Sequence, residues 1–279
     1  MGVYSMSFFD QLFNPLSAEL PDSKAYLDRI GMEPVQKPDK ATLDALILAH
    51  QRNVPFENLD VYDVGGDLPI DIPSLFDKVV TRRRGGYCFE LNAVFMALLE
   101  SLGYDCYPIA VRVMMGATRV MPISHRAIVV TIDGVRYFAD VGFGGPSPQS
   151  ALLLDDLSDQ PSGTNVFFFE KDHPQGTMLY RRVDGGKETV LLFRETPADP
   201  VDFIALNEYQ SKSKTSGFVM GRMLNKVTET GNITLNANVL KINTTGGDAV
   251  EKTIETEDEL RRALEEHYGL KVDFPLKMD

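Results

Sequence analysis

The hydrophobic pattern of this 279-residue chain changes period once, near residue 105. Before that point apolar residues recur at helical spacing. In "DKATLDALILAHQRNVPF", Leu43, Leu46, Ile47 and His50 mark one helical face that ends before Pro55. In "FELNAVFMALLESLGYD", Leu91, Val94, Phe95, Leu98, Leu99 and Leu102 form a stripe over three turns, with Gly103 at the capping position. After residue 105 come short segments rich in β-branched and aromatic residues, such as "CYPIAVRVMM", "HRAIVVTI", "VRYFADV" and "NVFFFE". Asp-Gly pairs at 133–134 and 184–185 read as tight hairpin turns, so this middle region is antiparallel. "LSDQPSGTN" (157–165) reads as an exposed loop. Beyond Pro200 the pattern is mixed: a polar loop, short strands around 226–243, and a helix from about Asp258. That helix opens on Thr256-x-x-Glu259, a capping-box pattern, and ends at Gly269. The expected class is α+β.

Composition narrows the function. A net charge of -12 argues against nucleic acid as the main partner, since phosphate binding needs a basic footprint. No apolar run reaches membrane-spanning length, so no membrane span is expected. The start of the chain lacks the basic and apolar regions of a secretory signal, and Met6 occupies the position where a myristoylation motif wants Ser or Thr. Two cysteines, Cys88 and Cys106, do not make a disulfide framework; with no signal, a reducing, cytoplasmic setting is expected. The four histidines are scattered and no CxxC or HExxH occurs, so no metal site is expected.

Chemistry concentrates in three places. The first is "RRRGGYCFELN" (82–92). Gly85-Gly86 permits a tight turn, and Cys88 follows in the first turn of a helix. Unpaired N–H groups and the positive end of the helix dipole there favour a thiolate and offer donors to an oxyanion. The alternative, a small buried hydrophobe, is common for cysteine. The second and third places are His125 and Asp140. A two-residue turn at Asp133-Gly134 sets Ile132 against Val135 and Ala127 against Asp140. His125 then lies diagonally across from Asp140 on the same face, about 7–8 Å between backbones, within reach of a His–carboxylate hydrogen bond. A carboxylate on one ring nitrogen leaves the other for the thiol proton, the generalised Cys-His-Asp triad. By the same alternation Arg126 points to the opposite face and is expected to be exposed. "ADVGFGGPSP" (139–148) is a loop whose glycines, Gly144 and Gly145 among them, let backbone approach a ligand. Cys106 and His50 read as core, His173 as loop, and His267 as a helix-end residue.

Together, "RRRGGYCFELN", "VPFENLD" (54–60), "SHRAIVV" (124–130) and "ADVGFGG" (139–145) are similar, in order and spacing, to segments of the arylamine N-acetyltransferases. The resemblance runs from about residue 25 to the C-terminal helix. It implies a helical bundle (1–104) carrying the nucleophile, a central antiparallel β-barrel (105–200) carrying His and Asp, and an α/β lid (201–279), around a cysteine-protease-like catalytic core. It implies the triad Cys88, His125, Asp140, acetyl-CoA as donor, and a ping-pong transfer to arylamines, hydrazines or N-hydroxyarylamines, with xenobiotic metabolism as the usual role. Arg84 and Glu57 are expected to form an ion pair that positions the Cys88 turn. The stretch "YQSKSKTSGF" (209–218) frames a cofactor segment, with Ser211, Ser216 and Phe218 matching the family pattern and Lys212 and Lys214 departing from it. A lysine there is a candidate contact for a CoA phosphate. Phe56, Met114, Met115 and Phe143 are candidate walls of the acceptor pocket.

Three other readings fit parts of the pattern. A macrolactam-forming amide synthase would share the architecture and use a carrier-bound acyl thioester. A cysteine hydrolase or transglutaminase-like enzyme can share the Cys, His, Asp order. A catalytically dead binding protein would be free to lose Cys88. The preferred amine and the oligomeric state, monomer or homo-oligomer, stay open at this stage.

Overall fold

The computed structural model describes residues 13–278; readings that fall on residues 1–12, including the start of the 1–104 segment, lie outside the described residues. Helices α1 (Ser23–Ile30) and α2 (Lys40–Asn53) begin on Asp22 and Asp39, whose carboxylates accept the N–H groups of Ala25 and Thr42 at 3.0 Å. A short helix, α3 (Ile72–Phe76), runs into a wider turn over Asp77–Thr81. Helix α4 (Cys88–Ser101) is central. Its stripe reads in the sequence as one apolar face, yet every residue from Cys88 to Leu99 is buried. The helices cover one side of it and strands the other, so its whole circumference is enclosed. Gly103, with φ 89°, adopts the left-handed conformation just beyond the helix end.

Strands β2 (Asp105–Val113), β3 (Ile123–Ile132), β4 (Val135–Ala139), β5 (Leu152–Leu153), β6 (Gln160–Ser162), β7 (Asn165–His173), β8 (Gly176–Val183) and β9 (Gly186–Phe193) form one antiparallel sheet, ordered β5-β4-β3-β2-β9-β8-β7-β6. The sheet curls into a nearly closed barrel. Its two edges meet through one side chain: Gln160 donates to the Leu153 carbonyl (2.9 Å) and accepts from the Leu153 N–H (2.7 Å). Gln160–Ser162 thus form an edge strand where the sequence reads as an exposed loop, and Ser162 is buried. Phe138, Phe167, Phe169 and Phe193 fill the interior. The Asp133-Gly134 turn has the positive φ angles of a two-residue hairpin (52° and 79°), and Ile132 pairs with Val135 as the sequence predicts.

The last part holds α5 (Asp202–Lys212), α6 (Gly217–Met220), strands β10 (Met223–Val227), β11 (Gly231–Asn236), β12 (Val239–Thr244) and β13 (Val250–Thr253), and α7 (Glu257–Ala263), which continues through Leu264–Tyr268. Thr256 caps α7 by accepting from the Glu259 N–H (3.3 Å), and Glu259 reaches back to the Glu255 N–H, one residue earlier than a standard capping box. The sheet of this part takes its edge strand β1 (Phe56–Glu57) from the first ninety residues, which otherwise read as helical. Pro55 holds Val54 in extended backbone, and two residues are too few to carry a period-2 signal.

A buried ion pair ties the last part to the first. Both side chains of Arg222 and Asp63 are fully buried, 2.6 Å apart. Arg222 also donates to the carbonyls of Ala237 and Lys277, and Asp63 accepts the Lys277 N–H (2.8 Å). Removing the cation alone leaves a buried carboxylate without its partner, so Arg222→Met is expected to cost about 3–5 kcal/mol in urea denaturation. A loss below about 1 kcal/mol would make the pair no stronger than a surface bridge.

Candidate active site

Steric exclusion positions Cys88, the candidate nucleophile. A Cβ on Gly85 would stand 2.1 Å from the Pro55 carbonyl oxygen, so only glycine lets the Gly-Gly turn lie against the Pro55–Glu57 segment. There the Glu57 N–H donates to the Gly86 carbonyl (2.9 Å). The chain leaves this turn directly into α4. Tyr87 O accepts the first N–H groups of the helix, from Glu90 and Leu91, so the N–H groups of Cys88 and Phe89 precede the first intrahelical donor. The sulfur therefore sits at the positive end of α4. The other side is closed by the loop after β4: a Cβ on Gly142 would come within 3.0 Å of Cys88 Cα.

His125 and Asp140 meet as the hairpin register predicts. His125 Nε2 lies 2.6 Å from Asp140 Oδ2, and both residues are buried. The other ring nitrogen is left for Cys88, whose Sγ lies 3.8 Å from the Ser124 carbonyl oxygen, beside the ring. Burial alone would push the imidazole down, but the Asp140 carboxylate and then Cys88 outweigh it, and its pKa is raised to about 10. An imidazole this basic can hold the thiol proton and leave a thiolate. Asp140 is itself held: Asn92 Nδ2 donates to Asp140 Oδ1 (2.9 Å), the Gly142 N–H donates to the same oxygen (2.9 Å), and Asn92 Oδ1 accepts from the Val141 N–H (3.0 Å). Sequence reasoning missed Asn92. Its signal is a polar residue one helical turn after Cys88, within the apolar stretch between Glu90 and Glu100.

A second charged group braces the turn. Arg84 donates to Glu57 Oε1 from Nε (2.9 Å) and Nη2 (2.7 Å), and to Asp60 (2.8 Å). The expected Arg84–Glu57 ion pair is thus present. Lys78 bonds Asp60 (2.7 Å) and Glu90 (2.6 Å), whose other oxygen accepts the Tyr87 N–H (3.0 Å). Burial opposes the charge on Arg84, yet Glu57 and Asp60 hold it above the ordinary arginine range. For Glu90 burial wins over Lys78, and its carboxyl lies above the usual carboxylate range.

Cys88, His125 and Ser124 open on a cavity of about 410 Å³. Phe56, Met115, Phe143 and Phe218 wall it, together with Gly144 and Gly145. The Phe143 ring meets the His125 ring edge-on at 5.5 Å. A groove of about 350 Å³ continues past Met115, Gly144 and Gly145 to Asn165, Arg181, Asn225 and Asn232. Other sequence candidates lie elsewhere. Met114 packs on Met178 and Leu192 and does not line this cavity. Ser211 and Ser216 donate to the backbone carbonyls of Asn207 and Gln210. Lys212 pairs with Asp67 (2.5 Å) and Glu208 (2.9 Å), and Lys214 is exposed. Arg126, expected to be exposed, is buried, because α4 and α5 cover that face of β3. Among the described residues, no group of three or more His, Cys, Asp or Glu could hold a metal ion.

The raised His125 pKa has a sign that can be checked. In a Cys88→Ala background, where the thiol proton no longer counts, its stabilisation is full below the ordinary value of 6.5 and is lost as pH rises through the value that Asp140 alone sustains, above 6.5 and below the parent's. Thermal unfolding should therefore show stability falling across that window in Cys88→Ala. The double variant with Asp140→Asn should lose that part of the slope; equal slopes would mean that Asp140 does not hold the proton on His125.

A family model described as "N-acetyltransferase" matches residues 39–277. The chain is 34% identical over 234 residues to the arylamine N-acetyltransferase of Mycobacterium tuberculosis, covering 81% of each chain. Its fold is similar to the solved arylamine N-acetyltransferase of Salmonella typhimurium, with a TM-score of 0.85 and 26% identity over 91% of this chain and 92% of that one. It is also similar to the Mycobacterium marinum arylamine N-acetyltransferase solved in complex with CoA, with a TM-score of 0.81 and 30% identity over 89% and 92%. By sequence over most of its length and by fold, the chain belongs to the arylamine N-acetyltransferase family.

Proposed function

We propose that the protein transfers the acetyl group of acetyl-CoA to an arylamine, hydrazine or N-hydroxyarylamine in two half-reactions through a thioester on Cys88. The observation that carries this reading is the buried Asp140–His125–Cys88 line opening on an apolar, aromatic-walled cavity. In the first half-reaction the Cys88 thiolate attacks the thioester carbonyl. The new carbon–sulfur bond forms on Cys88, the CoA sulfur leaves, and the proton held on His125 goes to that sulfur. The N–H groups at the head of α4 face the oxyanion that develops. In the second, the amine nitrogen attacks the acetyl-cysteine, His125 takes the amine proton, and Cys88 departs as thiolate. Asp140 keeps the ring in one orientation and stabilises its charge throughout.

The cavity and groove suit the two substrates. Phe56, Phe143, Phe218 and Met115 offer apolar faces to an aromatic acceptor and to the acetyl group. The adjoining groove carries the side-chain amides of Asn165, Asn225 and Asn232, which match the amides of a pantetheine arm, and Arg181 lies further out. The similarity to a relative crystallised with CoA supports the same donor. Lys212 is a poorer phosphate contact than its sequence position suggests, because Asp67 and Glu208 already neutralise it.

Mixing the protein with acetyl-CoA and no amine should add one acetyl group by intact mass. The adduct should be absent in Cys88→Ala and discharged by an arylamine. Turnover to acetylated amine without an adduct in rapid-quench mass spectrometry would contradict the thioester route.

A further inference from the structure

Helix α5 touches both residues that flank the catalytic pair. Phe203 and Asn207 stand one turn apart on the helix, on one face. Asn207 Oδ1 accepts from the hydroxyl of Tyr87, the residue before Cys88, and Asn207 Nδ2 donates to the Leu68 carbonyl (2.9 Å). The Phe203 ring lies 4.7 Å under the guanidinium of Arg126, the residue after His125, and also meets Phe89. Arg126 is 2% exposed; the Glu100 carboxylate favours its charge from a distance, but no ion pair to it is seen among the described residues. Its Nε has no hydrogen-bond partner, and its Nη2 reaches only Met96 Sδ at 3.9 Å. A guanidinium buried in this way depends on the aromatic face beneath it. Asn207 and Phe203 are thus the α5 contacts of two otherwise enclosed polar side chains, one on the nucleophile's strand of chain and one on the base's.

We infer that α5 is a clamp on the active site: Asn207, acting through Tyr87, and Phe203, acting through Arg126, set the position of Cys88 relative to His125. These are positioning residues, since neither reaches the cavity that Cys88 lines. Proton transfer between sulfur and imidazole depends steeply on their separation, so slackening either prong lowers the reactivity of the Cys88 sulfur. The inference rests on Cys88 and His125 as the catalytic pair but not on any donor or acceptor.

Alkylation of Cys88 by iodoacetamide against pH tests it, because that reaction reports the thiolate and needs neither acetyl-CoA nor amine. Tyr87→Phe keeps the ring and removes the hydroxyl; Phe203→Leu removes the aromatic face; Phe203→Tyr keeps that face. Tyr87→Phe and Phe203→Leu should each slow alkylation near the acid limb by about threefold or more, the effect of a rise of about half a pH unit in that limb. Phe203→Tyr should keep the parent profile. Circular dichroism identifies any variant that fails to fold, and Tyr87→Phe alone then decides. A folded Tyr87→Phe protein whose profile superimposes on the parent's overturns the clamp. It leaves acetyl transfer untouched, since that stands on the mass of the acyl-enzyme.

Discussion

The buried hydrogen bond between His125 and Asp140, 2.6 Å long, is the interaction around which the rest of the site is arranged. An imidazole enclosed by protein would by itself stay neutral; the ordinary outcome is seen at His50, which burial pushes down to about 3. His125 goes the other way because a carboxylate is placed on its ring, and that carboxylate is kept in place by Asn92 and by the Gly142 N–H of its own loop. The two buried histidines differ in their surroundings: burial and the nearby Arg29 charge lower His50, whereas the Asp140 carboxylate raises His125 against the same burial.

Holding a carboxylate, an imidazole and a thiol in line demands three parts of the chain at once. Helix α4 brings Cys88 and Asn92, the β3–β4 hairpin brings His125 and the approach to Asp140, and the last part brings Phe218 and the far wall of the cavity. The buried Arg84–Glu57–Asp60 and Lys78–Glu90 contacts fix the turn from which α4 starts. The Arg222–Asp63 pair fixes the part that roofs the cavity. Charges buried in this way are weak contributors to net stability, but mispairing them is costly, which favours a single arrangement.

Much of this was legible in the sequence, for local reasons. The Asp133-Gly134 turn is two residues long, and that sets the register that carries His125 to Asp140. The Gly-Gly turn before an apolar helix places Cys88 at a helix start. What could not be read depended on distant partners. Strand alternation put Arg126 on the face away from His125 correctly, but it says nothing of the helices that cover that face. Lys212 has one partner, Glu208, a helical turn before it, but the other, Asp67, lies 145 residues away in sequence. Strand β1 is too short to have a period, and it exists only because β10 pairs with it.

The central claim is that Asp140 holds the His125 ring protonated and oriented toward Cys88. The most direct measurement is the titration of the His125 ring followed by NMR, in the parent protein and in Asp140→Asn. The account predicts a ring that stays protonated well above the ordinary value of 6.5 in the parent and titrates lower in Asp140→Asn. Titration at the same pH in both proteins would contradict it.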